Sequence, residues 1–318
     1  MTASGAVIIG RNEGDRLIRC LASAMVQAGP VIYVDSASDD GSVAAAQAAG
    51  AEVILLETGL PFTAARARNA GLAALVDRDD PPEFVQFIDG DCELRAGWIV
   101  QAAAFLAAHP KVAAVCGRRR ERFPEASIYN FLTDAEWDTP VGETRSCGGD
   151  VLMRVAAIEA VGGYNPGLIA GEEPELCVRL RKAGWKVWRL DAEMTWHDAA
   201  MTRFGQWWKR TRRAGHAFAE GAALHGTPPE RHNVAQTWRA LIWGAALPLA
   251  ILLGCLVTPW ALALALLWLL KVVRLKAQGM GWRRAVFMTL GGIPEALGVL
   301  QYHWKRLTGQ QSRLIEYK

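Results

Sequence analysis

Between residue 5 and about residue 120, short apolar runs alternate with stretches of helical period, and this alternation leaves few folds open. Strands separated by helices pair in parallel while the helices cover the sheet faces. The chain therefore reads as an α/β protein on a Rossmann-like, mainly parallel sheet. Strands are expected at Ala6–Ile9, Val31–Val34, Glu52–Leu56, Phe84–Ile88 and Val112–Cys116. Helices are expected between them at Arg16–Ala28, Ser42–Ala49, Thr63–Leu75 and Trp98–His109. Leu17, Leu21 and Met25 carry the helical spacing of the first. From about Arg118 to His197 the chain is richer in Gly and charge, and this region is expected to close over a site rather than form a second fold.

A chain of 318 residues that is 51% hydrophobic can bury a large core. A formal charge of only +3 gives no case for nucleic acid as a partner. The six cysteines are scattered, without a Cys-x-x-Cys pair, which favours reduced thiols in the cytosol over disulfides or a zinc site. The first residues, Met-Thr-Ala-Ser-Gly, offer no basic and apolar stretch of the secretory kind, so no signal is expected.

From Ala240 to Leu270 there is no charged side chain, a run of 31 residues where about 20 suffice to cross a bilayer as a helix. Thr258-Pro259 lies within it, and proline favours a break, so two short apolar helices fit better than one rod. Lys209, Arg210, Arg212, Arg213 and Arg239 precede the run, and Lys271, Arg274, Lys276, Arg283 and Arg284 follow it. Basic residues on both flanks predict a hairpin that enters and leaves from the cytoplasmic face of the inner (plasma) membrane. Each arm is short for a full span, so a re-entrant or interfacial hairpin stays open, as does a buried hairpin of a soluble domain. Eight of the 13 tryptophans lie from Trp207 onward, where indole rings suit a membrane–water boundary. A further apolar stretch, Ala285–Leu300, is interrupted by Gly291, Gly292, Pro294 and Glu295 and is expected to be amphipathic and surface-lying.

Asp89-Gly90-Asp91 stands at the end of the fourth strand. Two carboxylates one residue apart can hold a hard divalent cation, Mg²⁺ or Mn²⁺, against a nucleotide diphosphate; a plain turn is the other reading. The first strand ends in Gly10-Arg11-Asn12-Glu13, beyond the carboxyl edge where open parallel sheets bind ligands. Asp35 and Ser36 follow the second strand, where a carboxylate can accept from a base or ribose, whereas Asp39 or Asp40 suits a helix cap. No Gly-x-Gly-x-x-Gly follows the first strand, which argues against a dinucleotide dehydrogenase.

Ala6 to Glu13, Val34 to Asp39, Ala67-Arg68-Asn69-Ala70-Gly71 and Asp89-Gly90-Asp91, in this order and spacing, resemble family 2 glycosyltransferases, the inverting GT-A enzymes. The resemblance covers about residues 5–215. It implies a nucleotide-diphosphate sugar donor, a divalent metal and a GT-A fold. By it Arg11, Glu13 and Asp35, with Asn12 and Ser36 beside them, would line the nucleotide pocket. Arg68 would sit near the base or diphosphate, unless it forms a surface salt bridge. Asp89 and Asp91 would take ribose and metal. Gly149 and Asp150, after Cys147-Gly148, would lie under the donor sugar, a tight turn being nearly as good a reading. Gly171-Glu172-Glu173 resembles the family's acidic motif, with Glu where the family has Asp; it implies the catalytic base at Glu173, with Glu172 second. Both acids also suit a helix N-terminus. His197 would complete the metal shell or be structural. The Gln-x-x-Arg-Trp motif of processive relatives is absent, so polymer synthesis is not supported.

The expectation is a metal-dependent, inverting hexosyltransferase acting on a lipid-linked or envelope-glycan acceptor. Its domains would be a catalytic region at 1–215, a linker at 216–239, the apolar hairpin at 240–275 and an amphipathic end at 276–318. A sugar-phosphate nucleotidyltransferase would need a Gly-rich basic loop after the first strand. A non-catalytic membrane scaffold would be expected to have lost Asp91 or the acids around Glu173.

Overall fold

The computed structural model describes residues 4–310, which divide into two compact units at Ala200–Met201. In the first unit β1 (Ser4–Gly10) lies parallel to β2 (Val31–Asp35) and to β4 (Phe84–Asp89), and β3 (Glu52–Leu55) extends the sheet beyond β2. The crossovers are α1 (Asp15–Met25), α2 (Ser42–Ala48) and α3 (Ala64–Val76). α1 buries Leu17, Cys20, Leu21 and Ala24, one stripe at helical spacing. α3 starts where the Thr63 hydroxyl accepts from the Arg66 amide at 3.2 Å. The register sets Gly10 opposite Asp35 and Ile9 opposite Asp89, so the three polar strand ends share one carboxyl edge.

The rest of the sheet departs from the expected parallel pattern. After β5 (Cys92–Leu94) and α4 (Trp98–Ala108), β6 (Val112–Glu121) runs five residues past its expected end. α5 (Ile128–Glu136), β7 (Gly142–Thr144), β8 (Val151–Arg154), α6 (Val155–Ala160), α7 (Glu172–Lys182) and β9 (Lys186–His197) follow. β8 pairs antiparallel with both β4 and β6, β9 parallel with β6, and β5 and β7 antiparallel with β9. The sheet is mixed, in the order β3-β2-β1-β4-β8-β6-β9-β5. The stretch read as a cover supplies three of its strands. Charge hid the extension of β6: its Arg118, Arg119 and Glu121 are buried, each against an opposite charge, which a strand pattern based on apolar alternation does not anticipate.

The second unit is helical. α8 (Phe204–His225) runs unbroken through residue 215, where a domain edge was expected. α9 (Val234–Leu241), a π-helical turn at Ile242–Ala246 and α10 (Leu247–Cys255) make one continuous helix, Val234–Cys255, of 22 residues with mean hydropathy 1.6. Among the described residues it is the one helix long and apolar enough to cross a membrane. The chain then breaks at Thr258, as expected, and returns through a 3₁₀ turn, Pro259–Ala265, and α11 (Leu266–Ala277). Leu256, Val257 and Trp260 at this turn are 79%, 87% and 84% exposed. α12 (Trp282–Leu290) and α13 (Gly292–Leu307) complete the unit. α13 is only half surface-lying. It buries Gly292, Pro294, Ala296, Gly298 and Val299 and leaves Leu297, Leu300, Trp304 and Leu307 outward. It crosses α8 so closely that a Cβ on Gly298 would lie 2.0 Å from the Arg212 carbonyl oxygen, and one on Gly215 2.0 Å from that of Glu295.

Candidate active site

The carboxyl edge of β1 and β2 is a tied loop pair. Asn12 adopts positive φ, which asparagine tolerates, and its side-chain oxygen accepts from the Asp39 amide while its own amide donates to the Ser38 hydroxyl. Asp35 is buried and accepts from the Tyr33 hydroxyl and the Ser38 amide, both at 2.8 Å. Its carboxylate thus anchors the loop that carries Ser36. Asp40, not Asp39, holds the start of α2, accepting from the Ser42 amide and hydroxyl. Glu13 pairs with Arg16 at 2.8 Å, and the exposed Arg11 lies with its guanidinium 5.7 Å from the Phe62 ring centre.

Arg68 is the hub of the site. It is buried on α3, far from the surface salt bridge that remained open. One nitrogen meets Asp89 at 2.8 Å, and another meets Glu173 at 2.7 Å and Glu172 at 3.0 Å. Burial alone would lower its pKa, but the charges of Glu173 and Asp89 more than offset this and hold the guanidinium protonated. So the strand-end pair and the acids of α7, 83 residues apart in sequence between Asp89 and Glu172, are joined by one side chain. Glu175 of the same acidic turn does something else, gripping Arg179 one turn on at 2.7 Å. Gly149 packs against this hub. A Cβ there would sit 2.6 Å from an Arg68 nitrogen and 2.9 Å from an Asp89 oxygen, so any side chain would have to displace one of them.

The Glu173 side chain is 12% exposed against 6% for Glu172. Its pKa is pushed up to about 7, first by burial, then by the charge of Glu172, with Arg68 pulling the other way. A carboxyl poised near neutrality suits proton transfer. Asp150 is buried within the fold, accepting from the Asp89 amide at 3.1 Å and the Thr195 hydroxyl at 2.8 Å. It ties β4 to β9 and orients the Asp89 backbone.

Asp91 and His197 face each other, with Oδ2 of Asp91 3.6 Å from Nε2 of His197. Nδ1 of His197 donates to the buried Glu121 carboxylate at 2.8 Å, which fixes the ring and leaves Nε2 turned to Asp91. Asp91, Cys92 and His197 bring one candidate ligand atom each within 4.8 Å of one another. Burial raises the Cys92 thiol well above its ordinary pKa, so it does not compete as a thiolate. A carboxylate oxygen and an oriented imidazole nitrogen, with Asp89 nearby and 29% exposed, form a donor set that fits Mn²⁺ or Mg²⁺.

Four contributors escaped the sequence reading. Glu121 orients His197; Tyr164 lies under Arg68, 5.6 Å from ring centre to guanidinium; Arg119 lies between Asp89, Asp91 and Asp150; Trp137 covers Arg119. The three-arginine run Arg118-Arg119-Arg120 was the available signal, since so much charge on a strand demands partners.

Residues 6–146 match the family described as Glycosyl transferase family 2. The chain is 28% identical over 172 residues to the pre-mycofactocin glycosyltransferase of Mycobacterium tuberculosis, covering 51% of this chain and 35% of that protein. It is 43% identical over 51 residues to the succinoglycan biosynthesis protein ExoA of Rhizobium meliloti, 16% of either chain. The aligned stretches thus span about a third and about a sixth of these curated relatives. Among solved structures, the mannosyltransferase PcManGT of Pyrobaculum calidifontis, in complex with GDP-Man and Mn²⁺, superposes with TM-score 0.61 at 20% identity. That match covers 93% of this chain and 86% of the other. Glucosyl-3-phosphoglycerate synthase of M. tuberculosis, with Mn²⁺, UDP and glucosyl-3-phosphoglycerate, gives 0.51 at 18% identity over 71% and 81%. The family match and the superposition agree on the GT-A fold.

Proposed function

We propose that this protein transfers a sugar from a nucleotide-diphosphate donor to an acceptor hydroxyl, with inversion and with a divalent metal. The observation that carries the reading is the Arg68 junction, which holds Glu173 and Glu172 beside the Asp89 end of β4. Asp91 and His197 would hold the metal, with Asp89 alongside. When bound, the metal offsets the charge that builds on the leaving diphosphate. Glu173 takes the proton of the attacking hydroxyl as it approaches the anomeric carbon opposite the departing diphosphate; Arg68 keeps that carboxylate in place. Arg11, Asn12, Glu13, Asp35 and Ser36 form the loop edge on which the nucleotide rests.

The acceptor is proposed to be lipid-linked or an envelope glycan, with the enzyme on the cytoplasmic face of the inner membrane. Residues 201–318 hold sixteen Lys and Arg against four Asp and Glu, a formal +12, whereas residues 1–200 hold nineteen against twenty-eight, a formal −9. The basic part is also the one with the exposed apolar hairpin, and both properties suit an anionic bilayer. Purified protein incubated with Mn²⁺ and a panel of UDP- and GDP-sugars tests the activity. Release of nucleoside diphosphate with one of them, dependent on metal, is expected. No release and no thermal stabilisation by any donor would overturn it.

A further inference from the structure

Arg68 and Arg119 are both buried cations facing Asp89, yet they are bound very differently. Arg68 meets its carboxylates at 2.7–3.0 Å. Arg119, whose side chain is 7% exposed, stands 3.5 Å from Asp89, 3.5 Å from Asp150 and 3.9 Å from Asp91. Charge-assisted hydrogen bonds ordinarily close to about 2.7–2.9 Å, so these are loose ion pairs. The buried Nε of Arg119, like that of Arg68, has no hydrogen-bond partner, and its nearest acid, Asp150, stays 3.5 Å away. The Trp137 ring covers the guanidinium at 4.8 Å and packs in turn on Gly148, next to the Gly149 that abuts Asp89.

A guanidinium with donors to spare, buried beside three acids, is a site for a further anion. We propose that Arg119 is an exchangeable counter-cation: it balances Asp89, Asp91 and Asp150 before the donor binds, and it binds the donor diphosphate once a divalent metal has taken Asp89 and Asp91. The inference rests on the donor-and-metal reading above. Two opposite effects follow from one charge. Arg119 disfavours metal binding alone, because a positive charge less than 4 Å from the ligands opposes a second one. It favours metal and diphosphate together, because it then gains hydrogen bonds it lacks. Trp137 fixes where the guanidinium waits, through cation–π contact.

Calorimetric titration of the full-length protein with Mn²⁺ alone, and then with UDP and GDP at saturating Mn²⁺, separates these effects. Arg119→Gln is expected to bind Mn²⁺ alone about threefold or more tightly than wild type. The same variant is expected to bind the preferred diphosphate about tenfold more weakly. Arg119→Lys restores the charge and should recover most of the diphosphate affinity. Should Arg119→Gln fail to fold, Arg119→Lys and Trp137→Phe carry the test. Each loosens the waiting position and should weaken diphosphate binding while leaving Mn²⁺ binding equal or tighter. Variants that match wild type in both titrations, or that lose both affinities in parallel, would overturn the assignment. A wild-type protein that binds neither Mn²⁺ nor either diphosphate would instead overturn the donor reading itself.

Discussion

Glu173 and Glu172 share one arginine, and only Glu173 is proposed as the base. Glu173→Gln keeps the size of the side chain and cannot take a proton, so transfer should fall by about 10² or more while donor affinity holds. The pH profile tells the two acids apart. The base acts when deprotonated, and the Glu173 carboxyl titrates near 7, so the rate should rise with pH through about 7 and be lost below it. Glu172→Gln removes a neighbouring negative charge that raises that value, and the rising limb should move to lower pH with the maximum preserved. Loss of the maximum in Glu172→Gln instead would assign the base to Glu172. At the metal, Asp91→Asn keeps the shape of the strand end and removes the charge. Metal-dependent donor binding should disappear in titrations with Mn²⁺, while the melting curve stays cooperative; retained metal dependence would remove Asp91 from the ligand set.

At the scale of elements, the α8–α13 crossing brings two backbones into direct contact within the helical unit. With carbonyl oxygens 2.0 Å from where a Cβ would stand, Gly298→Val has to push the two backbones apart. Overpacking of this kind costs about 1–3 kcal/mol, so the melting temperature of the intact protein should fall, and Leu297→Ala on the outward face of the same helix should not lower it comparably. Equal melting of both variants would mean that the crossing adapts. This packing was visible in the sequence only as scattered glycines, because the partner helices are about 80 residues apart. The same distance effect hid β8 and β9, whereas α1 to α3 were readable from local period alone.

For the whole molecule, the prediction concerns the bilayer. Helix Val234–Cys255 is about 33 Å long at 1.5 Å per residue, a length that matches the hydrocarbon core. Each basic side chain near an anionic surface contributes about 1 kcal/mol, which salt screens, whereas burial of the Leu256–Trp260 turn in lipid is not screened. Full-length protein should therefore float with phosphatidylglycerol vesicles and stay bound in high salt. A chain ending at Ala200, the end of the first compact unit, should remain in the aqueous fraction. Release of the full-length protein by salt alone would show an electrostatic attachment without insertion.

Amino-acid order by itself determined the strand–helix alternation of the first hundred residues, the carboxyl edge of β1, β2 and β4, and the break at Thr258-Pro259. Each of these depends on neighbours a few positions apart, through strand period, helix period or the rigid proline ring. The resemblance carried by short ordered motifs likewise singled out Asp89, Asp91, Glu173 and His197. Only the tertiary structure decided which charges meet. Arg68 could have been a surface residue, Asp150 a ligand and Glu121 one more exposed acid, because a side chain's charge does not reveal its partner. The sheet decides it by bringing β4, β6 and β9 together, where burial removes water and leaves each carboxylate and guanidinium to pair with groups of the protein.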